Sequence, residues 1–225
     1  MQLHVGAGRS RLDGWVNVDL YPSPVTDMVF DLQEPWPIKN DAVTAIYGSH
    51  VLEHLPRPLD FFREAWRVLI PNGQMLLRVP YGGSRAAWTD LTHVRPWYGE
   101  TFCYFQPGYA ETTGNPQHDD WSAFFGVSII QHRLRAEMAP IVSSWWRRRL
   151  VLPWFRYMGE AIEELHAHLF ALKRPDDVAR YAAEHVPNAV PCGYVIYRHH
   201  LDGHAVPMGG AAEVVPVAGG EGIRL

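Results

Sequence analysis

The sequence predicts an α/β fold built on a mostly parallel sheet, and three observations carry that prediction. Short apolar runs recur through the N-terminal part, one connection between them has helical periodicity, and the first run opens into a Gly-x-Gly turn. Leu3 to Val5 and Val16 to Val18 read as short buried strands. Thr26 to Phe30 reads as a third, ending at Asp31-Leu32, and Ala42 to Tyr47 as a fourth, opened by the turn Lys39-Asn40-Asp41. These runs do not alternate strictly, which suits strands covered on both faces. From Pro58 to Ile70 the residues Leu59, Phe62, Trp66 and Leu69 recur at spacings of three and four, the period of an amphipathic helix. Pro71-Asn72-Gly73 stops that helix, and Met75 to Val79 follows as a fifth strand.

After Pro80 the composition changes to aromatics, His, Gly and Pro. Long connections of little periodicity are uncommon inside compact domains unless they serve a site, so residues 80–123 are expected to form a substrate cap. Phe124 to Leu134 is a candidate sixth strand. Trp154 to Leu172 is expected to be a helix with Glu160, Glu163 and Glu164 on its wet side, within a helical insertion over residues 140–190. Gly193 to His199 is expected to be the final strand and 203–225 a loose tail, so that residues 1–202 make one domain.

At 225 residues with 47% hydrophobic content, the chain can bury a core of its own. Its net charge of −4 supplies no basic field of the kind that advertises nucleic-acid binding. Cys103 and Cys192 have neither metal-ligand spacing nor a disulfide framework, which suits a reducing compartment. The absence of a signal-like start and of long apolar runs makes the cytoplasm the expected location.

Gly6-Ala7-Gly8 follows the first strand, and Asp19 ends the second. Glycine turns admit positive φ and let a ligand approach the backbone, and a carboxylate ending the next strand can accept hydrogen bonds from a ribose diol. A dinucleotide fingerprint would place a third glycine where Arg11 stands. It would also need more than the ten residues between Gly8 and Asp19, too few for a crossover carrying a full helix. Without that helix N-terminus a pyrophosphate is disfavoured, and a ligand with an adenosine and a small zwitterionic tail is favoured. S-adenosylmethionine fits that description.

Gly6-Ala7-Gly8, then Gly14-Trp15-Val16-Asn17-Val18-Asp19, then Ser49-His50-Val51-Leu52-Glu53-His54-Leu55 resembles the class I S-adenosylmethionine-dependent methyltransferases, in the small branch with a shortened first helix. The likeness continues from Glu64 to Pro80, with Asn72 where the family usually has a glycine. It implies a Rossmann-like, seven-stranded, mostly parallel sheet of the methyltransferase type, with the last strand antiparallel. It implies that Gly6, Ala7, Gly8, Asp19 and Leu20 hold the cofactor, that Asp31 and Leu32 reach its adenine, and that Ser49 and His50 flank its methionine part. For Asp31 a turn cap is the competing reading. The implied reaction is methyl transfer to an oxygen, nitrogen or carbon of a small or medium substrate, and members of this branch often modify glycans or small metabolites. Two alternatives stay open at this point: a binding or scaffold module without turnover, and an NAD-dependent nucleotide-sugar enzyme.

His50-Val51-Leu52-Glu53-His54 also spells H-x-x-E-H, an inverted zinc-peptidase motif. That chemistry needs both histidines on one face of a stable helix. Pro56 leaves room for a single turn, so zinc hydrolysis is disfavoured and no metal is expected. His93, in the loop after the fifth strand, is the candidate general base, with a structural anchor as the alternative. Arg95 beside it can hold an anionic group or pair with Asp90. His118-Asp119-Asp120 and the histidines at 199, 200 and 204 are weak metal candidates. Trp145-Trp146-Arg147-Arg148-Arg149 reads as buried tryptophans with snorkelling arginines more readily than as a surface-binding stripe.

Overall fold

The computed structural model describes residues 1–109, 121–135, 161–185 and 194–197. Eight strands form one sheet in the order β3-β2-β1-β4-β5-β7-β6-β8. They are β1 (Gln2–Val5), β2 (Val16–Asp19), β3 (Met28–Val29), β4 (Val43–Ser49), β5 (Leu69–Pro80), β6 (Phe125–Leu134), β7 (Ile162–Ala171) and β8 (Tyr194–Tyr197). The first five are mutually parallel where they pair, and β7 runs antiparallel between β5 and β6. The fold class is the mostly parallel α/β sheet expected from the sequence, with the antiparallel strand at β7 and not at the end of the chain.

Two details differ from expectation. The segment read as a helix over Trp154 to Leu172 contains β7, whose Leu165, Ala167, Leu169 and Ala171 are buried while His166, His168 and Phe170 face the other side. That period of two competes in the sequence with the helical spacing of Glu160, Glu163 and Glu164. The expected helical insertion over 140–190 therefore holds, in its described part, a strand and one helix, α4 (Pro175–His185). The strand at the far end of the chain pairs parallel with β6 as an eighth member of the sheet.

Helix α1 (Pro58–Val68) begins with proline at its first turn, where the missing N–H costs nothing. Its buried face is Pro58, Phe61, Phe62, Ala65 and Val68, rotated from the predicted Leu59-Phe62-Trp66 stripe. Trp66 is only partly buried because its indole N–H donates to the Leu172 carbonyl at 3.1 Å and the Lys173 ammonium lies over its ring. Asn72 adopts φ +60, the left-handed conformation for which the family's glycine is suited and which asparagine tolerates better than most residues.

One face of the sheet is apolar and packs α1: Leu3, Val5, Val18, Ile46, Met75, Leu77, Leu165 and Ile130 are essentially solvent-free. The segment expected to be a cap contributes to that core. Short helices α2 (Ala86–Thr89) and α3 (Gly99–Cys103) lie in it, Phe105 stacks on Phe62 with ring centroids 3.6 Å apart, and Trp97 stacks on Phe102 at 5.2 Å. Around residue 90 the segment instead stays at the surface, with Trp88, Leu91 and Val94 exposed. No helix of the described residues is long and apolar enough to cross a membrane. The tail, Cys192, the His118-Asp119-Asp120 run, the histidines at 199, 200 and 204, and the Trp145 to Arg149 stripe lie outside the described residues.

Buried and half-buried histidines, His132 on the apolar face beside Leu165 and His4, His166 and His168 on the other, make the fold sensitive to acid. Burial pushes His4, His166 and His168 down, and pushes His132 from 6.5 to about 4. An unfolded His132 takes its proton near pH 6.5, the folded one only near 4. The contribution of His132 to stability is therefore complete above about pH 6.5, is lost as the pH falls from there to about 4, and amounts to roughly 3 kcal/mol. Chemical denaturation at pH 7.5 and pH 4.5 should show a smaller loss for His132→Leu than for the parent; equal losses would remove His132 from this account.

Candidate active site

The carboxyl ends of β3, β2, β1 and β4 lie side by side, and every cofactor residue expected from the sequence falls on or just past them. Strand β1 pairs with β2 on one side and β4 on the other, so the chain reverses its direction of travel across the sheet there. Such a switch point opens a crevice at the strand ends.

Gly6 has φ +66 and Gly8 φ +55, and Ala7 between them donates its N–H to the Val18 carbonyl at 3.0 Å. A Cβ on Gly6 would stand 2.8 Å from the Cβ of Val51, so only glycine lets the turn pass the segment after β4. Asp19 closes the turn from the neighbouring strand: its Oδ2 accepts the Gly8 N–H at 2.7 Å and its Oδ1 the Tyr21 N–H at 3.1 Å. Beside it, Leu20 is 49% exposed, an apolar side chain left open next to a carboxylate.

No helix links β1 to β2; a hydrogen-bonded loop replaces it. Asn17 is fully buried, and its Oδ1 accepts the Leu12 N–H and the His4 Nδ1–H, each at 2.9 Å. Arg11, standing where a dinucleotide fold has its third glycine, reaches Asp27 Oδ1 at 3.0 Å and the Val25 carbonyl at 3.1 Å. Asp27 also accepts the backbone and side-chain N–H groups of Asn17, and these bonds with Arg11 hold its carboxyl at about 2. Asn17 was legible only as a lone amide in the run Val16-Asn17-Val18, a polar residue in a buried strand that must find partners.

Asp31 accepts the Gln33 N–H at 2.8 Å, the turn-capping role that its residue type allowed, and its other oxygen stays available. Leu32 packs into the core and its carbonyl accepts the Trp36 indole N–H, which leaves backbone rather than side chain for contact with a ligand.

Ser49 ends β4, and His50 follows with φ +54. Its Nε2 lies 3.0 Å from Glu164 Oε1 and its Nδ1 3.2 Å from Glu53 Oε1; the hydrogen bond it donates to Glu164 and the close ion pair with Glu53 raise it to about 9. Both ring nitrogens are thus engaged inside the protein. Glu164 is the hub of this side of the site, with Arg78 and Arg133 each 2.8 Å from its Oε2. Burial works against its charge, but bonds to His166, His50 and Arg78 outweigh burial and hold its carboxyl far below the usual range. The sequence could not reveal this hub, because its partners come from β5, β6 and the end of β4.

The H-x-x-E-H segment divides. Only Leu52–His54 is helical, a single 3₁₀ turn, so the two-histidine face of a zinc peptidase does not form. His50 turns to Glu164, whereas His54 meets His93 edge to face at 4.8 Å between centroids. His93 is held by a hydrogen bond between its Nδ1 and the Ala87 carbonyl at 3.2 Å. Arg95 donates to the Pro56 carbonyl at 2.9 Å, and the loop carrying both residues is tied down where the Val94 N–H donates to the Glu53 carbonyl at 2.8 Å.

These features bear on which nucleoside cofactor fits. A turn that a Cβ would fill, a carboxylate at the surface, an exposed leucine beside it and the lack of a helix at the first turn suit an adenosine with a short tail, not a pyrophosphate.

Residues 9–77 match the family model of the methyltransferase domain. No curated protein matches the chain significantly by sequence. Among solved structures, an S-adenosylmethionine-dependent methyltransferase from Archaeoglobus fulgidus is similar with a TM-score of 0.52 and 15% identity, over 75% of this chain and 85% of that one. Looser likenesses include the YcgJ protein from Bacillus subtilis, at a TM-score of 0.44 and 12% identity over 77% and 92% of the two chains. An S-adenosylmethionine-dependent methyltransferase from Mesorhizobium loti is similar at 0.40 and 10% over 75% and 89%. The matched segment runs from just after the first glycines into the fifth strand, and the sheet completed around it has the order and the antiparallel strand of that fold. Residues 9–77 are therefore similar to a methyltransferase domain, and the sheet around them has the fold of the S-adenosylmethionine-dependent methyltransferase from Archaeoglobus fulgidus.

Proposed function

We propose that this protein transfers the methyl group of S-adenosylmethionine to an oxygen, nitrogen or carbon nucleophile of a small or medium substrate, a metabolite or a glycan among them. The observation that carries the reading is the crevice at the carboxyl edge of β1, where the Gly6 to Gly8 turn, the Asp19 carboxylate and the exposed Leu20 side chain meet. When bound, the cofactor supplies an electrophilic methyl on a sulfonium, so the hard chemistry is its own. The chain's work is to bind, orient and exclude water.

In this reading Asp19 receives the ribose hydroxyls, Leu20 covers a face of the adenine, and Asp31 with the Leu32 backbone meets the adenine edge. Gly6, Ala7 and Gly8 pass beneath the adenosine, and Ser49 with the backbone of His50 flanks the amino-acid tail. The acceptor enters on the side of the Asp90 to Arg95 loop. His93 acts on it through Nε2, because donation of the Nδ1 proton to Ala87 puts the ring's lone pair on the other nitrogen.

Calorimetric titration with S-adenosylmethionine, S-adenosylhomocysteine and NADH in one buffer tests the cofactor. Micromolar binding of the first two and none of NADH is expected. Binding of NADH alone would overturn the reading, and methyl transfer in a substrate screen separates an enzyme from a module that only binds.

A further inference from the structure

We infer that Glu53, His54 and His93 form a binding site for a divalent transition-metal ion of the zinc class at the acceptor side of the crevice. One ligand-capable atom from each of the three lies within 4.8 Å of the other two. Ligands about 2 Å from a shared metal stand roughly 3 to 4 Å apart, so closing on an ion lies within reach of side-chain rotation. Two histidines and one carboxylate are a donor set that zinc and related ions accept, with positions left open for water or a substrate oxygen.

Three further observations point the same way. Glu53 is 1% exposed, and neither of its carboxylate oxygens has a hydrogen-bond partner among the described residues. His50 Nδ1 approaches Oε1 at 3.2 Å as an ion pair, and Oε2 is left without such a partner among the described residues. A buried carboxylate oxygen in that state is costly, and a cation at that oxygen would relieve the cost.

The two histidines are also set up as ligands. His54 Nδ1 lies 2.9 Å from Thr92 Oγ1, whose own proton goes to Asp90 Oδ1 at 2.7 Å, so the hydroxyl accepts and His54 Nδ1 must donate. His93 Nδ1 donates to the Ala87 carbonyl. Both rings therefore carry their lone pair on Nε2, fixed by the outer hydrogen bonds that metal-ligating histidines almost always make. Finally, the Val94 N–H bond to the Glu53 carbonyl clamps the loop carrying His93 against the turn carrying Glu53 and His54, which holds ligands from distant parts of the chain together. With an ion present, His93 Nε2 is a ligand and does not itself take the acceptor's proton.

The test is calorimetric titration of the chelator-treated full chain with Zn²⁺. One equivalent should bind with micromolar affinity or tighter, and His54→Ala and His93→Ala should each weaken it by about 100-fold or more. Thr92→Val, which removes the outer hydrogen bond to His54 together with the hydroxyl's bond to Asp90, should weaken it by about 10-fold. Thermal unfolding of each metal-free variant close to the metal-free parent shows that the loss is not unfolding, and the exposed Thr92 carries the test if a histidine variant does not fold. No stoichiometric binding by the parent, or binding undiminished in the His54→Ala/His93→Ala double variant, overturns the site. The S-adenosylhomocysteine titration of the same samples keeps this outcome separate from the cofactor assignment, since metal binding can fail with cofactor binding intact, or the reverse.

Discussion

Replacing Asp19 with alanine should weaken S-adenosylhomocysteine binding by more than tenfold while the protein stays folded. The carboxylate stands at the end of β2, half-buried, and already serves the turn through the Gly8 N–H at 2.7 Å and the Tyr21 N–H at 3.1 Å. In the proposed ribose-binding role it has two effects on affinity. As an ionised acceptor for ribose hydroxyls it contributes about 1.5 to 3 kcal/mol, the usual worth of a charge-assisted hydrogen bond. As the partner of Gly8 it fixes the turn before the ligand arrives, which spares the ordering cost on binding. Asp19→Asn keeps an acceptor oxygen for Gly8 but loses the charge, so its affinity should fall between parent and alanine variant. Unchanged affinity in a folded Asp19→Ala protein would remove the ribose assignment.

The second large effect is expected at Gly6. Alanine there must hold φ near +66, which costs about 1 to 2 kcal/mol for a residue with a Cβ. The new Cβ would also meet Val51 Cβ and Cγ2 at 2.8 Å, and overpacking of that kind adds about 1 to 3 kcal/mol. Gly8 supplies the control, because it has a similar positive φ and nothing within 4 Å of the position its Cβ would take. Gly6→Ala should thus lower the melting temperature by several degrees more than Gly8→Ala, and should depress cofactor affinity as well, since Val51 leads directly into the Leu52–His54 turn. Equal melting temperatures for the two variants would show that Val51 yields freely and that only the backbone strain counts.

Other parts of the site depend on contacts made far along the chain. His50 illustrates this: its neighbours in sequence suggested a metal motif, yet its ring is captured by Glu164, 114 positions away. His54 and His93 illustrate the converse, two residues that local reasoning assigned separately and that the clamped loop brings to a ring separation of 4.8 Å.

Legible in the sequence are the first half of the sheet and the strand-end edge on which the candidate site residues lie. Strand runs, a glycine turn, a terminal carboxylate and a ten-residue link are local signals, because backbone sterics and the length of a crossover act over a few residues. Gly6, Gly8, Asp19, Asp31, Ser49 and His50 accordingly lie at adjacent strand ends, as their spacing indicated. Contacts between distant parts of the chain settle β7, the aromatic core and the ionic side of the site. The period of two in Leu165, Ala167, Leu169 and Ala171 competes with a helical reading until β5 and β6 flank it and bury one face. Trp97, Phe102 and Phe105 looked like lid residues until Phe62 and Phe125 supplied the surfaces they fill. The physical reason is the same in each case: burial and charge pairing are properties of what surrounds a side chain, and for these residues the surroundings come from the other end of the chain.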